Sequence, residues 1–407
     1  MILALEYQRS PARYMVARGV TSTTLGSRLA GMVAGNVAPL RLMTRPAPDL
    51  PGPGWTRLAP RLSGVCGSDL GLLAGQSSPY LSPMTSMPFV PGHEIVGETL
   101  DDVPGVPRGS RVVLDPVLSC SPRGTKQCRW CASGQQSRCD HVTTGGLSAG
   151  LQTGFCADTG GGWSRQLVAH ESQLHLVPDD LPDERAVLVE PLACAVHSVR
   201  RVEIPSGASV AVIGAGTVGL LTLLALRELT PAVRIHVVAK HRHQRERALA
   251  LGATAVHAPG RATRALRRST TARMHVPELG SEFLLGGVDI AFECTGGSSG
   301  LDSALRLVRA GGTIVMSGMP SGHVDLTPLW YRELELVGAY ATSSNSSRGP
   351  DSVRPDFAEA IELAGTAPLD GWVEPAYPLA RWREALGHAT EAGRLGSIKI
   401  AFDPRRD

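Results

Sequence analysis

Four of the chain's eight cysteines, Cys120, Cys128, Cys131 and Cys139, fall in one short stretch with the spacing C-x7-C-x2-C-x7-C. Four thiolates in one loop saturate a tetrahedral zinc ion, and a saturated ion has no open position for a substrate, so this cluster predicts a metal that holds a loop in shape. Four free thiols are the plain alternative. Eight cysteines are too few for a disulfide scaffold in a chain of 407 residues. No signal-peptide-like apolar run precedes Glu6 and Arg9, so metal is favoured over disulfides and the chain is expected in the cytoplasm.

A second set of ligand-type residues is dispersed: Cys66 in GVCGSD, His93 and Glu94 in PGHEIVGE, and Glu190 in LVEPLACAVH. No spacing rule links them. Taken singly, they read as a small buried hydrophobe, a turn histidine and a helix N-terminal acid. Taken together, a cysteine, a histidine and a carboxylate make a three-ligand zinc site whose fourth position stays open to water or substrate.

A third set carries a different chemistry. Gly214, Gly216, Thr217, Val218 and Gly219, in GAGTVG, follow an apolar strand pattern and open a helical one. Such glycines turn the chain tightly and let a pyrophosphate approach the backbone N–H groups at a helix N-terminus. An acid about twenty residues downstream would hold the ribose hydroxyls of NAD and repel a 2′-phosphate. Here Lys240, His241 and Arg242 follow the second strand instead, so Lys240 and Arg242 are expected to meet the phosphate of NADP. The plain alternative is that they are solvated side chains, with Glu246 one turn on as a counter-charge.

These sets need elements to position them. Residues 59–115 alternate short apolar runs with Gly and Pro, the grammar of short strands joined by turns. After Pro191, strand and helix patterns alternate, which implies a parallel, doubly wound sheet. The class is therefore α/β, with residues 1–195 a β-rich domain bearing the metal candidates, 196–340 a Rossmann coenzyme domain, and 341–407 packing back on the first.

Composition narrows the partners. The chain is 43% hydrophobic and 19% charged, with a net charge of +3 and no basic block, so nucleic acid is not expected. The uncharged stretch 204–226 is long enough to span a bilayer, but Gly214, Gly216 and Gly219 interrupt it as a strand, turn and helix would, and no membrane is expected either. Of 40 basic residues only Lys126, Lys240 and Lys399 are lysines. The arginine-rich stretch 261–273 reads as a solvated surface insertion.

The order GVCGSDL, VPGHEIVGE, a cysteine-rich loop, GGGWSRQLVAH, EPLACAVHSV and VIGAGTVGL resembles the zinc-dependent alcohol dehydrogenases of the medium-chain dehydrogenase/reductase family. The resemblance implies a chaperonin-10-like catalytic domain split by an inserted Rossmann domain, with the active site between them. It implies two zinc ions per chain and a nicotinamide coenzyme, NADP by the reading above. By position, Cys66, His93 and Glu190 resemble catalytic zinc ligands, Glu94 an alternative or transient ligand, Ser68 the hydroxyl that holds the alcohol, and Asp69 the acid that orients a zinc-bound histidine.

The glutamate of EPLA resembles the polyol, sugar and threonine branches of the family. The implied reaction is hydride transfer between a small alcohol, a secondary alcohol, polyol or sugar hydroxyl, and the coenzyme, in a homodimer or homotetramer. A zinc-free enone or quinone reductase and a non-catalytic nucleotide-binding relative are the alternatives on the same fold. Two departures stand out: seven residues separate the first two loop cysteines where many relatives have two, and Gly71 stands where relatives carry a proton-relaying histidine.

Overall fold

The computed structural model describes residues 1–21, 33, 35–344 and 354–407. The chain forms two compact units, one built mainly of Met1–Glu190 and Phe357–Asp407, the other of Pro191–Ala341.

The first unit is organised by the strand Trp55–Gly64, whose side chains alternate enough to bury one face while its length lets it bond three neighbours. It pairs antiparallel with Ile95–Thr99, Lys399–Phe402 and Leu167–His170, within a seven-stranded sheet that also holds Arg111–Leu114, Leu174–Leu176 and Val373–Tyr377. A hairpin of Ile2–Tyr7 and Leu40–Arg45 joins it through backbone bonds such as Leu5 N–H to Trp163 O at 2.9 Å. The core between them is aromatic. Trp163 is fully buried, stands edge-on to Phe402 with ring centroids 5.2 Å apart, and donates its indole N–H to Gly64 O.

At the end of Trp55–Gly64 the ladder continues one step on each side: Gly64 N–H bonds Glu94 O at 2.8 Å and Val65 N–H bonds Ile400 O at 2.9 Å. Cys66, Glu94 and Lys399 thus arrive together from three distant parts of the sequence. Cys66 then caps the short helix Gly67–Leu73, which carries Ser68 and Asp69.

The second unit is a six-stranded, wholly parallel sheet. Its order is Ala255–His257, Arg234–Val238, Ser209–Ile213, Val288–Glu293, Val308–Met316 and Glu335–Gly338, the doubly wound arrangement with its reversal beside Ser209–Ile213. The uncharged stretch becomes the buried strand Ser209–Ile213 and the helix Thr217–Leu229. Among the described residues, no helix is long and apolar enough to cross a membrane. In the arginine-rich stretch the helix Ala262–Ser269 buries Ala262 and Leu266 while Arg261, Arg264, Arg267, Arg268 and Arg273 face solvent.

Gly219 packs so closely on the turn before it that a Cβ there would lie 2.0 Å from Gly214 O. Gly219→Val should therefore destabilise the second unit by about 1–3 kcal/mol through overpacking and weaken coenzyme binding with it. Urea unfolding and coenzyme titration would check this; a variant matching the parent in both would show the close approach to be dispensable.

Candidate active site

Cys66, His93 and Glu94 each offer a ligand atom within 4.8 Å of the other two. His93 and Glu94 are buried and Cys66 is half-buried. Ser68 Oγ lies 3.5 Å from His93 Nε2, so the hydroxyl stands beside the ring nitrogen that faces this group. Asp69 accepts the Cys66 N–H at 3.0 Å through one oxygen, which fixes the turn that carries the thiol. Its other oxygen is 3.7 Å from His93 Nδ1, and both of those atoms are buried without a hydrogen-bond partner. A small closure would make this the bond that sets the histidine tautomer and leaves Nε2 free to ligate a cation.

Charge in this pocket is concentrated. Burial pulls the His93 pKa down, but Asp69, Cys66 and Glu190 together push it well above the usual histidine value. Burial raises the Asp69 pKa, with His93 opposing. A buried group of anionic donors around one imidazole is the environment a divalent cation neutralises, so the residues present fit a zinc ion. Glu190, in the first turn of helix Val189–Arg200, is outside the tight trio, though its charge reaches both His93 and Lys399.

Lys399 has no counterpart in the sequence reading. Its ammonium lies 2.6 and 2.5 Å from the two Glu94 oxygens and 3.2 Å from Val65 O, fully inside the unit. Burial lowers its pKa, yet Glu94 and Cys66 outweigh this and hold it raised, so it stays charged. Glu94 is thereby committed to Lys399. A faint signal existed: Lys399 is one of only three lysines among the 40 basic residues of the chain.

The cysteine loop closes as its spacing predicts. The sulfurs of Cys120, Cys128, Cys131 and Cys139 lie within 4.8 Å of one another. Burial pushes the Cys139 thiol up to about 11, whereas backbone N–H groups of Asp140, Cys131 and Trp130 overcome burial and bring Cys128 to about 6. The long first spacer also has a use. Arg123, in that spacer and 1% exposed, donates to five carbonyls: Leu118, Thr144, Leu147, Ser148 and Gly150. His141 Nδ1 is 3.3 Å from Cys120 Sγ. A zinc with four thiolates is formally dianionic, and Arg123 is a buried cation whose charge is felt with Cys139 and Cys120.

In the second unit Gly214 ends the strand, Gly216 caps helix Thr217–Leu229, and Thr217, Val218 and Gly219 form its first turn, as a pyrophosphate site requires. In the cationic turn Arg242 has the solvated arrangement, with Glu246 as counter-charge, that was the plain alternative. Arg242 Nε is 2.7 Å from Glu246 and 87% exposed, while Arg245 reaches back to the carbonyls of Ala239 and Lys240. Lys240 is exposed and makes no ion pair with a described residue.

Comparison with known proteins agrees with this geometry. The family described as alcohol dehydrogenase GroES-like domain matches residues 52–179, and the zinc-binding dehydrogenase family matches residues 217–364. The chain is 26% identical over 352 residues to the D-arabitol-phosphate dehydrogenase of Enterococcus avium, covering 84% of this chain and 88% of that one. It is 25% identical to the sorbitol dehydrogenase of Bacillus subtilis over 94% of this chain and 99% of that one. A Sinorhizobium meliloti 1021 protein solved bound to NADP superposes with a TM-score of 0.70 at 23% identity, covering 99% and 100% of the two chains. The chain belongs to the zinc-dependent alcohol dehydrogenases of the medium-chain dehydrogenase/reductase family. It is a zinc-dependent alcohol oxidoreductase that uses a nicotinamide coenzyme.

Lys399→Met would leave the Glu94 carboxylate buried without its partner, and should cost about 3–5 kcal/mol in urea unfolding. The double variant Glu94→Gln, Lys399→Met should recover a large part; equal losses in both would mean the pair does not carry the effect. Arg123→Met would leave five carbonyls of the adjoining loop without their donor and should weaken zinc retention by the cysteine cluster by about 10–100-fold, read by competition with a chromogenic chelator. Retention at the parent affinity would show that Arg123 does not support the cysteine cluster.

Proposed function

We propose that this chain oxidises the secondary hydroxyl of a polyol or sugar alcohol with NADP, and reduces the corresponding ketone, using one zinc held by Cys66, His93 and Glu190 and a second held by Cys120, Cys128, Cys131 and Cys139. The observation that carries the reading is the convergence of half-buried Cys66 and buried His93, with Ser68 Oγ 3.5 Å from His93 Nε2, in a chain that also carries the dinucleotide fold. Lys399 holds both oxygens of Glu94, and the charge of Glu190 reaches His93, so Glu190 is read as the third ligand and Glu94 as a reserve one. When bound, the zinc acidifies the alcohol or polarises the carbonyl. Ser68 holds the reacting hydroxyl and takes the first share of its proton, and Asp69 holds the His93 ring in register.

The polyol assignment is supported by the glutamate of EPLA and by relatives named for arabitol phosphate and sorbitol. NADP is supported by the absence of an acid after strand Arg234–Val238, by the exposed Lys240, and by Arg245 close behind it. Arg242 contributes after giving up a surface ion pair with Glu246 that is worth little. A homo-oligomer fits the outer strand Glu335–Gly338, which has one sheet neighbour and exposes Leu336, with Trp330 and Tyr331 exposed nearby in sequence.

Metal analysis should give two zinc ions per chain, one of them lost in Cys66→Ser. Turnover should rank sorbitol, arabitol and 2,3-butanediol above ethanol, with kcat/KM higher for NADP than for NAD. Ser68→Ala should lower kcat by about 10²–10⁴-fold. One zinc, a flat substrate panel, or an NAD preference would each remove the corresponding part of the reading.

A further inference from the structure

Residues 8–39 connect the strands Ile2–Tyr7 and Leu40–Arg45, which pair from Ile2↔Arg45 to Tyr7↔Leu40. About two to five residues would close such a hairpin. The pairing does not require the detour, so its contents need another reason.

Its described helix, Pro11–Thr21, grips one place. Tyr14 Oη donates to Ser77 O at 2.5 Å, and Thr21 Oγ1 donates to Ala74 O at 2.7 Å. Between them, Gly75 has φ +69°, and a Cβ there would meet Arg18 N at 2.7 Å and Tyr14 O at 2.8 Å. Residues 74–77 are the exit of the helix Gly67–Leu73, whose entrance holds Cys66 and Ser68. Beyond them the chain runs as a strap to residues 84–86, which bond the segment 150–155: Thr85 bridges Gly150, Leu151 N–H reaches Met84 O at 3.1 Å, and Ser86 N–H reaches Phe155 O at 3.4 Å. Phe155 in turn lies beside His93, ring centroids 6.1 Å apart.

The strap thus starts at the helix of Ser68 and ends at the neighbour of His93. Its middle, the 3₁₀ turn Pro79–Met84, buries no side chain, and Tyr80 is 79% exposed. A segment with no buried anchor of its own is placed by its ends.

We propose that the inserted helix Pro11–Thr21 is a specificity element: by clamping residues 74–77 it sets the opening in front of Ser68 and His93, and with it the discrimination between short and long alcohols. The choice of assay substrates rests on the polyol reading; the clamp itself does not. Tyr14 and Thr21 are positioning residues, since they act only through the strap.

The test is the double variant Tyr14→Phe, Thr21→Val in the full chain with its zinc. Amide hydrogen exchange over residues 74–86 should rise about tenfold or more, as two lost hydrogen bonds allow, with residues 144–148 unchanged. The ratio of kcat/KM for sorbitol to that for 2,3-butanediol should shift at least about fivefold, with zinc content and the coenzyme KM at parent values. Unchanged exchange over the strap, or equal losses on both alcohols, would overturn the proposal. If the double variant does not fold, Gly75→Ala presses on the same contact from the opposite side and is read in the same way. If the parent turns over neither polyol, the polyol reading fails; exchange still decides the clamp, and the ratio is taken between 2-octanol and 2-propanol.

Discussion

The catalytic unit is organised around a problem of charge. A thiol, three carboxyl groups and a histidine are brought together away from water, and buried anions of this number are not tolerated without compensation. One compensating charge comes from the chain itself. Lys399 reaches in from the last strand to hold both oxygens of Glu94, which ties the C-terminal segment to the turn that carries His93. Cys66 and Glu190 act on Lys399 at longer range, and one ammonium does not balance the whole group, so the residues present still suit a divalent cation. Folding and metal binding are coupled through this distribution.

The same principle recurs in the cysteine loop at smaller scale. Four sulfurs held within 4.8 Å concentrate negative charge once a metal has displaced their protons, and a single buried arginine lies among the carbonyls of the adjoining loop. The extended spacer between Cys120 and Cys128 delivers that arginine. Its last bond, to Gly150 O, meets the segment that continues to Phe155 beside His93, so loop and substrate side share one framework.

At the coenzyme end the constraint is steric instead. Gly219 lets the helix Thr217–Leu229 sit directly on the turn at Gly214, which aims the helix N-terminus at the end of the central strand. The cations of the neighbouring turn are then sorted by local pairing. Arg242 faces outward to Glu246, whereas Lys240 is left exposed with Arg245 bracing the backbone behind it.

Much of this was legible in the sequence because it is written in local spacing. Four cysteines in a loop, a glycine fingerprint between strand and helix, and a change from short strands to alternating β and α units are each readable within tens of residues. The dispersed ligands were legible only through resemblance, since nothing in the spacing of Cys66, His93 and Glu190 brings them together. Three-dimensional pairing decided the rest. Lys399 lies 305 positions from Glu94, and their meeting depends on the register of strands on either side of Trp55–Gly64. Nothing in the spacing marks Arg123, and it is the fold that sets its guanidinium among five carbonyls. Local sequence records what a segment can form, whereas the partner of a buried charge is chosen by which segments the sheet places side by side.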